Sequence, residues 1–154
     1  MALQDLLDLS FKDLKHEDLN YLCKIKFNEL KEGILETNKI SNINVFEKVK
    51  FEKLEILDLN NNQISDINIL EKVNFREIKK LYLNNNKISD IKVLVKVKFG
   101  KLEILDLYGN QISDINILEE VNFKELKQLD LCENNISDIK ILENVKFEKL
   151  ENYV

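Results

Sequence analysis

Most residues able to do chemistry recur at one fixed interval. Asp66, Asp90, Asp114 and Asp138 stand 24 residues apart, each directly after a serine (Ser65, Ser89, Ser113, Ser137). A recurring carboxylate could serve a hard cation or acid–base work, but a calcium site needs six or more oxygens converging on one point. A Ser-Asp pair once per interval is also what a repeated helix start requires, with the hydroxyl at the N-cap and the acid in the first turn. The expectation is therefore capping, with no metal ligands. His16 is the only histidine and has no second ligand at metal spacing, so it reads as an exposed residue. Cys23 and Cys132 lie more than four repeats apart, beyond bridging reach in a stacked rod. Free thiols point to a reducing compartment, the cytoplasm or the nucleus. There is no histidine beside a nucleophile, no glycine-rich phosphate loop and no cysteine pair at metal spacing, so no catalytic residue and no cofactor is assigned.

The elements that position these residues follow from the same interval. Leu30, Leu54, Ile78, Leu102, Leu126 and Leu150 form a column with no insertion between its members, which is the mark of a repeat architecture. Each repeat has two halves. Leu57-Asp58-Leu59 and its equivalents at 81–83, 105–107 and 129–131 alternate apolar and polar, the pattern of a short strand buried on one face. Ile64, Ile67, Leu70 and Val73 come every third residue, which suits a helical or 3-10 segment laid on a core. Asn38, Asn62, Asn86, Asn110 and Asn134 occupy the turn between the halves. Buried there, their amides would take backbone groups of adjacent coils as partners and build a ladder. Phe27, Phe51, Phe75, Phe99, Phe123 and Phe147 form a second apolar column, expected to close the core as a stacked aromatic edge.

Residues 1–29 lack the full pattern. Carried back by 24, the register puts Leu6, Leu9, Phe11, Leu14, Leu19, Leu22, Ile25 and Phe27 on apolar positions. Charged residues between these leucines, and Ser10 three residues before Asp13, predict a mostly helical N-terminal cap with a polar outer face. Residues 30–154 then hold five full 24-residue coils and the start of a sixth. The last of these begins at Leu150 with no polar cap after it. This predicts an apolar C-terminal flank open to self-association, or a fragment of a longer repeat protein.

The chain has 154 residues, 44% of them hydrophobic and 33% charged, with a net charge of −5. The signs are interleaved along the chain, so neither a nucleic-acid footprint nor a basic membrane-binding stripe is present. The acidic, interrupted N-terminus has no signal-peptide pattern, and no apolar run is long enough to span a bilayer.

The pattern L-x-x-L-x-L-x-x-N-x-I-S-D-I-x-x-L-x-x-V-x-F-x-x over residues 30–154 resembles the leucine-rich repeat family. Its Ile-Ser-Asp-Ile stretch is similar to the subclass of bacterial internalins and of a eukaryotic phosphatase regulatory subunit. The chain departs from that subclass by running 24 residues per coil rather than 22, and by lacking a proline in the outer segment. The resemblance implies an α/β fold: a curved right-handed solenoid with a parallel sheet on its concave side, short helical or 3-10 segments on the convex side, and protein binding on the concave face.

Removing the structural positions leaves three outward columns on the strands: Glu32, Ile56, Lys80, Ile104 and Gln128; Ile34, Asp58, Tyr82, Asp106 and Asp130; Glu36, Asn60, Asn84, Tyr108 and Cys132. Ile56, Tyr82, Ile104 and Tyr108 are the apolar and aromatic types that anchor interfaces, and Asp58, Asp106 and Asp130 surround them. Asp106 and Asp130 would sit on neighbouring strands as a like-charge pair that favours a positive group between them. These seven residues are the candidate partner-binding set, and the expected partner is a protein or peptide offering basic and apolar groups.

Overall fold

The computed structural model describes residues 5–153. It holds one parallel sheet of seven strands in sequence order: β1 (Leu6–Asp8), β2 (Glu32–Ile34), β3 (Ile56–Asp58), β4 (Lys80–Tyr82), β5 (Ile104–Asp106), β6 (Gln128–Asp130) and β7 (Asn152–Tyr153). Each of β1 to β6 leads to a 3-10 helix on the opposite side of the coil: η1 (Asp18–Lys24), η2 (Asn44–Glu47), η3 (Asn68–Glu71), η4 (Lys92–Val95), η5 (Asn116–Glu119) and η6 (Lys140–Glu143). Leu57, Leu81, Leu105 and Leu129 lie side by side in register, all buried. This is the stacking expected from the 24-residue interval.

The asparagine ladder is built as the sequence requires. Asn86 donates its amide to Leu59 O, Leu83 O and Asn84 O at 3.0, 3.1 and 3.2 Å, and its Oδ1 accepts from Ile64 N at 2.9 Å. Asn62 and Asn110 repeat the set one coil to either side. Each amide thus ties its own turn to the coil before it and satisfies backbone groups that three-residue strands leave over. The phenylalanine column is also in place, with centroids 5.4 Å apart for Phe27–Phe51, 6.0 Å for Phe51–Phe75 and 6.2 Å for Phe75–Phe99. These separations exceed the spacing of about 4.8 Å between paired strands.

Three expectations need correction. The segment before residue 30 is not a mostly helical cap: it pairs β1 parallel to β2 and carries a single 3-10 helix, so it forms the first coil of the stack. The register there is Leu6↔Glu32, two residues longer than the repeat, because the chain makes a turn through Phe11 and Asp13, both at positive φ. Carrying 24 residues back therefore misplaced Leu6 and Phe11, which face outward, while Leu7 and Leu9 pack on the core; Ile25, also expected on an apolar position, is exposed. Ser10 starts no helix, since both its N–H and its hydroxyl bond Asp8 Oδ1. Residues 1–4 of the predicted cap, and Val154, lie outside the described residues.

The third correction concerns the Ser-Asp pairs. The residue at the N-cap of η3 is Ile67, with no side-chain cap bond, and the serines are exposed. Asp66 Oδ1 instead accepts from Asn68 N at 2.8 Å, and Asp90, Asp114 and Asp138 do the same two residues on. A 3-10 helix of four residues has too short a first turn for the Ser-based cap, whereas an aspartate reaches the second N–H ahead as an Asx turn. The carboxylates are structural, as expected, through a different atom.

Candidate binding surface

The outer face of the sheet is built by the three-residue strands, whose central residues are buried and whose flanking residues are half-exposed. Of the candidate residues, Ile56 sits beside Lys80 and Lys80 beside Ile104 in the first column. In the second, Asp58, Tyr82, Asp106 and Asp130 follow one another on adjacent strands. Tyr108 lies two residues past the end of β5 and is 38% exposed. The structure thus brings Ile56, Asp58, Tyr82, Ile104, Asp106 and Asp130 onto one patch, with Tyr108 at its margin. Tyr82 is flanked on both sides by a strand reading Ile-Leu-Asp.

The electrostatics are those of a partly desolvated acidic surface. Burial pushes the Asp58 carboxyl above its ordinary value against the Asn60 N–H bond that lowers it, and Glu36 and Asp106 push it further up. The Tyr82 hydroxyl is raised by burial and by Asp58 and Asp106 on either side. Each aspartate also closes its strand: Oδ1 of Asp58, Asp106 and Asp130 accepts from the backbone N–H of Asn60, Tyr108 and Cys132 at 2.9, 3.0 and 3.0 Å. That bond fixes the direction of the carboxylates.

Three contributors were not singled out from sequence. Asn84 donates to Asp106 Oδ2 at 2.8 Å while its own N–H bonds Asn60 Oδ1, so it orients Asp106 from the neighbouring strand. Glu36 adds charge beside Asp58. Lys80 stands between the two isoleucines as the one base in that column. All three occupy the outward columns; what sequence lacked was a sign of which members touch. His16 is exposed, with Nδ1 3.2 Å from Ser41 Oγ and Nε2 3.6 Å from Glu17. Cys23 and Cys132 are both free, Cys23 exposed and Cys132 half-buried. Among the described residues no group of acids, histidines and cysteines is placed to hold a metal ion, and no helix is long and apolar enough to cross a membrane.

Comparisons with known proteins agree with this geometry. A family model described as leucine-rich repeats matches residues 76–120 and again 100–144, and a second, single leucine-rich repeat model matches 53–73. No curated protein sequence matches the chain significantly. Among solved structures, an internalin from Listeria monocytogenes superposes with a TM-score of 0.69 at 29% identity, over 86% of this chain and 36% of its own. A plant peptide hormone receptor in complex with RGF2 gives 0.61 at 20% identity, over 85% of this chain and 21% of its own. A leucine-rich repeat protein of Leptospira interrogans gives 0.59 at 22% identity, over 91% of this chain and 41% of its own. The chain spans about a third of the length of the internalin. With the repeat models covering more than half of its residues, and the ladder, strand register and 3-10 segments all repeating together, the chain belongs to the leucine-rich repeat family, in its internalin-like form.

Proposed function

We propose that this protein is a non-catalytic interaction module that binds a protein or peptide partner on the outer, concave face of its sheet, within a reducing cellular compartment. The observation that carries the reading is the row Asp58, Tyr82, Asp106, Asp130 on adjacent strands, with the Asp58 carboxyl already resisting ionisation. Like charges on neighbouring strands oppose one another, and a Lys or Arg between them relieves that cost. Arg suits the place best, because its planar guanidinium can stack on Tyr82 while meeting a carboxylate. Ile56 and Ile104 supply the apolar contact beside it. The same fold serves a receptor that takes a peptide hormone.

The test is calorimetric titration with extended peptides carrying Arg or Lys next to Leu or Ile, against the same peptides with Glu in the basic position. Binding of the basic set, weakening as salt is raised and lost in Tyr82→Ala with Asp106→Lys, is the expected outcome. Equal binding of basic and acidic peptides, or an unaffected double variant, overturns it.

A second reading is self-association through the flank of the last full coil. Ile139 is 66% exposed, whereas its counterparts Ile43, Ile67, Ile91 and Ile115 are at most 2% exposed. Beside it Leu131, Ile136 and Leu142 line an open cleft of about 330 Å³. Sedimentation over a wide concentration range, with Ile139→Glu as comparison, decides it: a chain that stays monomeric throughout removes this reading.

A further inference from the structure

Two charged columns flank the start of the strands. In the first, Glu29, Lys53, Glu77, Lys101, Glu125 and Lys149 change sign at every coil; in the second, Lys31, Glu55, Lys79, Glu103, Lys127 and Glu151 do the same in opposite phase. The contacts follow the alternation. Ion pairs join Lys53 to Glu29, Lys79 to Glu55, Lys101 to Glu77, Lys127 to Glu103 and Lys149 to Glu125 at 2.5–2.6 Å, each across one coil boundary. The first coil obeys the same rule, with Asp5 bonded to Lys31 at 3.0 Å. Charge on the far side is felt as well: the Lys79 ammonium is raised chiefly by Glu55 and further by Glu103 and Glu77, and Glu103 is lowered chiefly by Lys127 and further by Lys79.

Coils therefore come in two kinds, Lys-x-Glu and Glu-x-Lys. Within the Lys-x-Glu kind the likeness runs through the whole coil. Residues 53–76 and 101–124 differ only at Asn60/Tyr108, Asn61/Gly109, Lys72/Glu120 and Arg76/Lys124, whereas residues 77–100, between them, depart from both at nearly half their positions. Asn74, Lys98, Asn122 and Lys146 alternate on the outer side in the same phase. From residue 53 on the coils share their apolar positions, so packing alone cannot tell a correct neighbour there from one displaced by a whole coil. Register left to packing in this way is open to slippage. A slip of one coil sets Lys on Lys and Glu on Glu in both columns at every boundary, while a slip of two restores the pairs.

We propose that the stacking unit of this solenoid is a pair of coils, and that the two charged columns are a matching code by which each coil accepts only a coil of the other kind as its neighbour. One exposed pair contributes little by itself. The selectivity comes from repetition: one ion pair joins the coils at each successive boundary, in the first and the second column by turns, and the wrong stack replaces each attraction by a repulsion.

The first variant leaves net charge untouched. Lys101→Glu with Glu103→Lys converts one coil to the wrong kind, placing the introduced carboxylate between Glu77 and Glu125 and the introduced ammonium between Lys79 and Lys127. Its melting midpoint at low salt is expected to fall by about 5 °C and to recover most of that at about 1 M salt, where screening acts within about 3 Å. A second variant exchanges every Glu and Lys of both columns, together with Asp5→Lys. It restores opposite neighbours throughout and is expected to melt with the parent. Deletions give an independent readout: removing residues 77–100 puts Lys53 against Lys101, whereas removing 53–100 puts Glu29 against Lys101. The smaller deletion should therefore be the one whose midpoint rises with salt. The proposal is overturned if the single-coil exchange melts with the parent at low salt, if the fully exchanged chain melts as low as the single-coil exchange, or if the two deletions respond alike to salt.

Discussion

Removing one rung of the asparagine ladder by Asn86→Ala tests the central claim about what joins the coils. Asn86 is 7% exposed and makes four bonds. The carbonyls it serves are not all abandoned by its loss: Leu59 O keeps the Asn62 amide and Leu83 O keeps the Asn110 amide, and Asn84 O still accepts from Asn61 N. The group left without a partner is Ile64 N–H, on a residue with no exposed surface. An orphaned buried donor costs about 1–3 kcal/mol. Three weakened carbonyl bonds and a small cavity bring the expected loss to about 2–4 kcal/mol. Asn134→Ala removes the equivalent bond to Ile112 N, but Asn134 is half-buried, so water can replace part of the amide and the loss should be about half as large. Equilibrium urea unfolding followed by circular dichroism reads both. Asn86→Asp adds a sign: the carboxylate can still accept from Ile64 N but faces three carbonyl oxygens, so that variant should be weakest at neutral pH and recover as acid restores a donor proton. A loss below about 0.5 kcal/mol at Asn86, or equal losses at Asn86 and Asn134, would refute the account, because an amide that orphans a buried donor must cost more than one that water can replace.

Three further outcomes follow from the same contacts. The turn position at Thr37, Asn61, Asn85, Gly109 and Glu133 has positive φ in every coil, which Asn and Gly tolerate and Glu does not; Glu133→Asn should therefore stabilise the protein by about 0.5–1 kcal/mol in urea unfolding. Asp58 has a folded-state pKa raised chiefly by burial, so ionisation costs stability at neutral pH and that cost is relieved as pH falls through the folded pKa. Asp58→Asn should accordingly melt above the parent at neutral pH and level with it in acid, while losing affinity for basic peptides; thermal scans across pH show the crossover. Phe75→Ala, at a ring 3% exposed between Phe51 and Phe99, should cost about 3–5 kcal/mol, and Phe147→Ala, at a half-buried ring, measurably less.

Much of this molecule is legible one residue type at a time, because a constant interval turns a column in the sequence into a column in space. Leu57, Leu81, Leu105 and Leu129 had to lie side by side once the interval was seen, and Asn62, Asn86 and Asn110 had to find backbone partners once they were buried between turns. The reading failed where the interval failed. The two added residues around Phe11 and Asp13 shifted the first coil, so Leu6 and Leu7 exchanged faces and a strand stood where charge spacing suggested a helix. It failed again at Ser65 and Asp66, where the length of the following helix, a property of how tightly the coil must close, chose which side chain caps it.

The sequence by itself determined the repeat, the apolar and amide columns and the outward-facing strand residues, since each depends only on position within a coil. The tertiary structure decided what depends on two coils at once: that Glu77 meets Lys101, that Asn84 steadies Asp106, and that Tyr82 stands between two aspartates. Those contacts join residues 22 to 24 positions apart, and only the stacking of one turn on the next brings such distant groups within reach of each other's charge and hydrogen bonds.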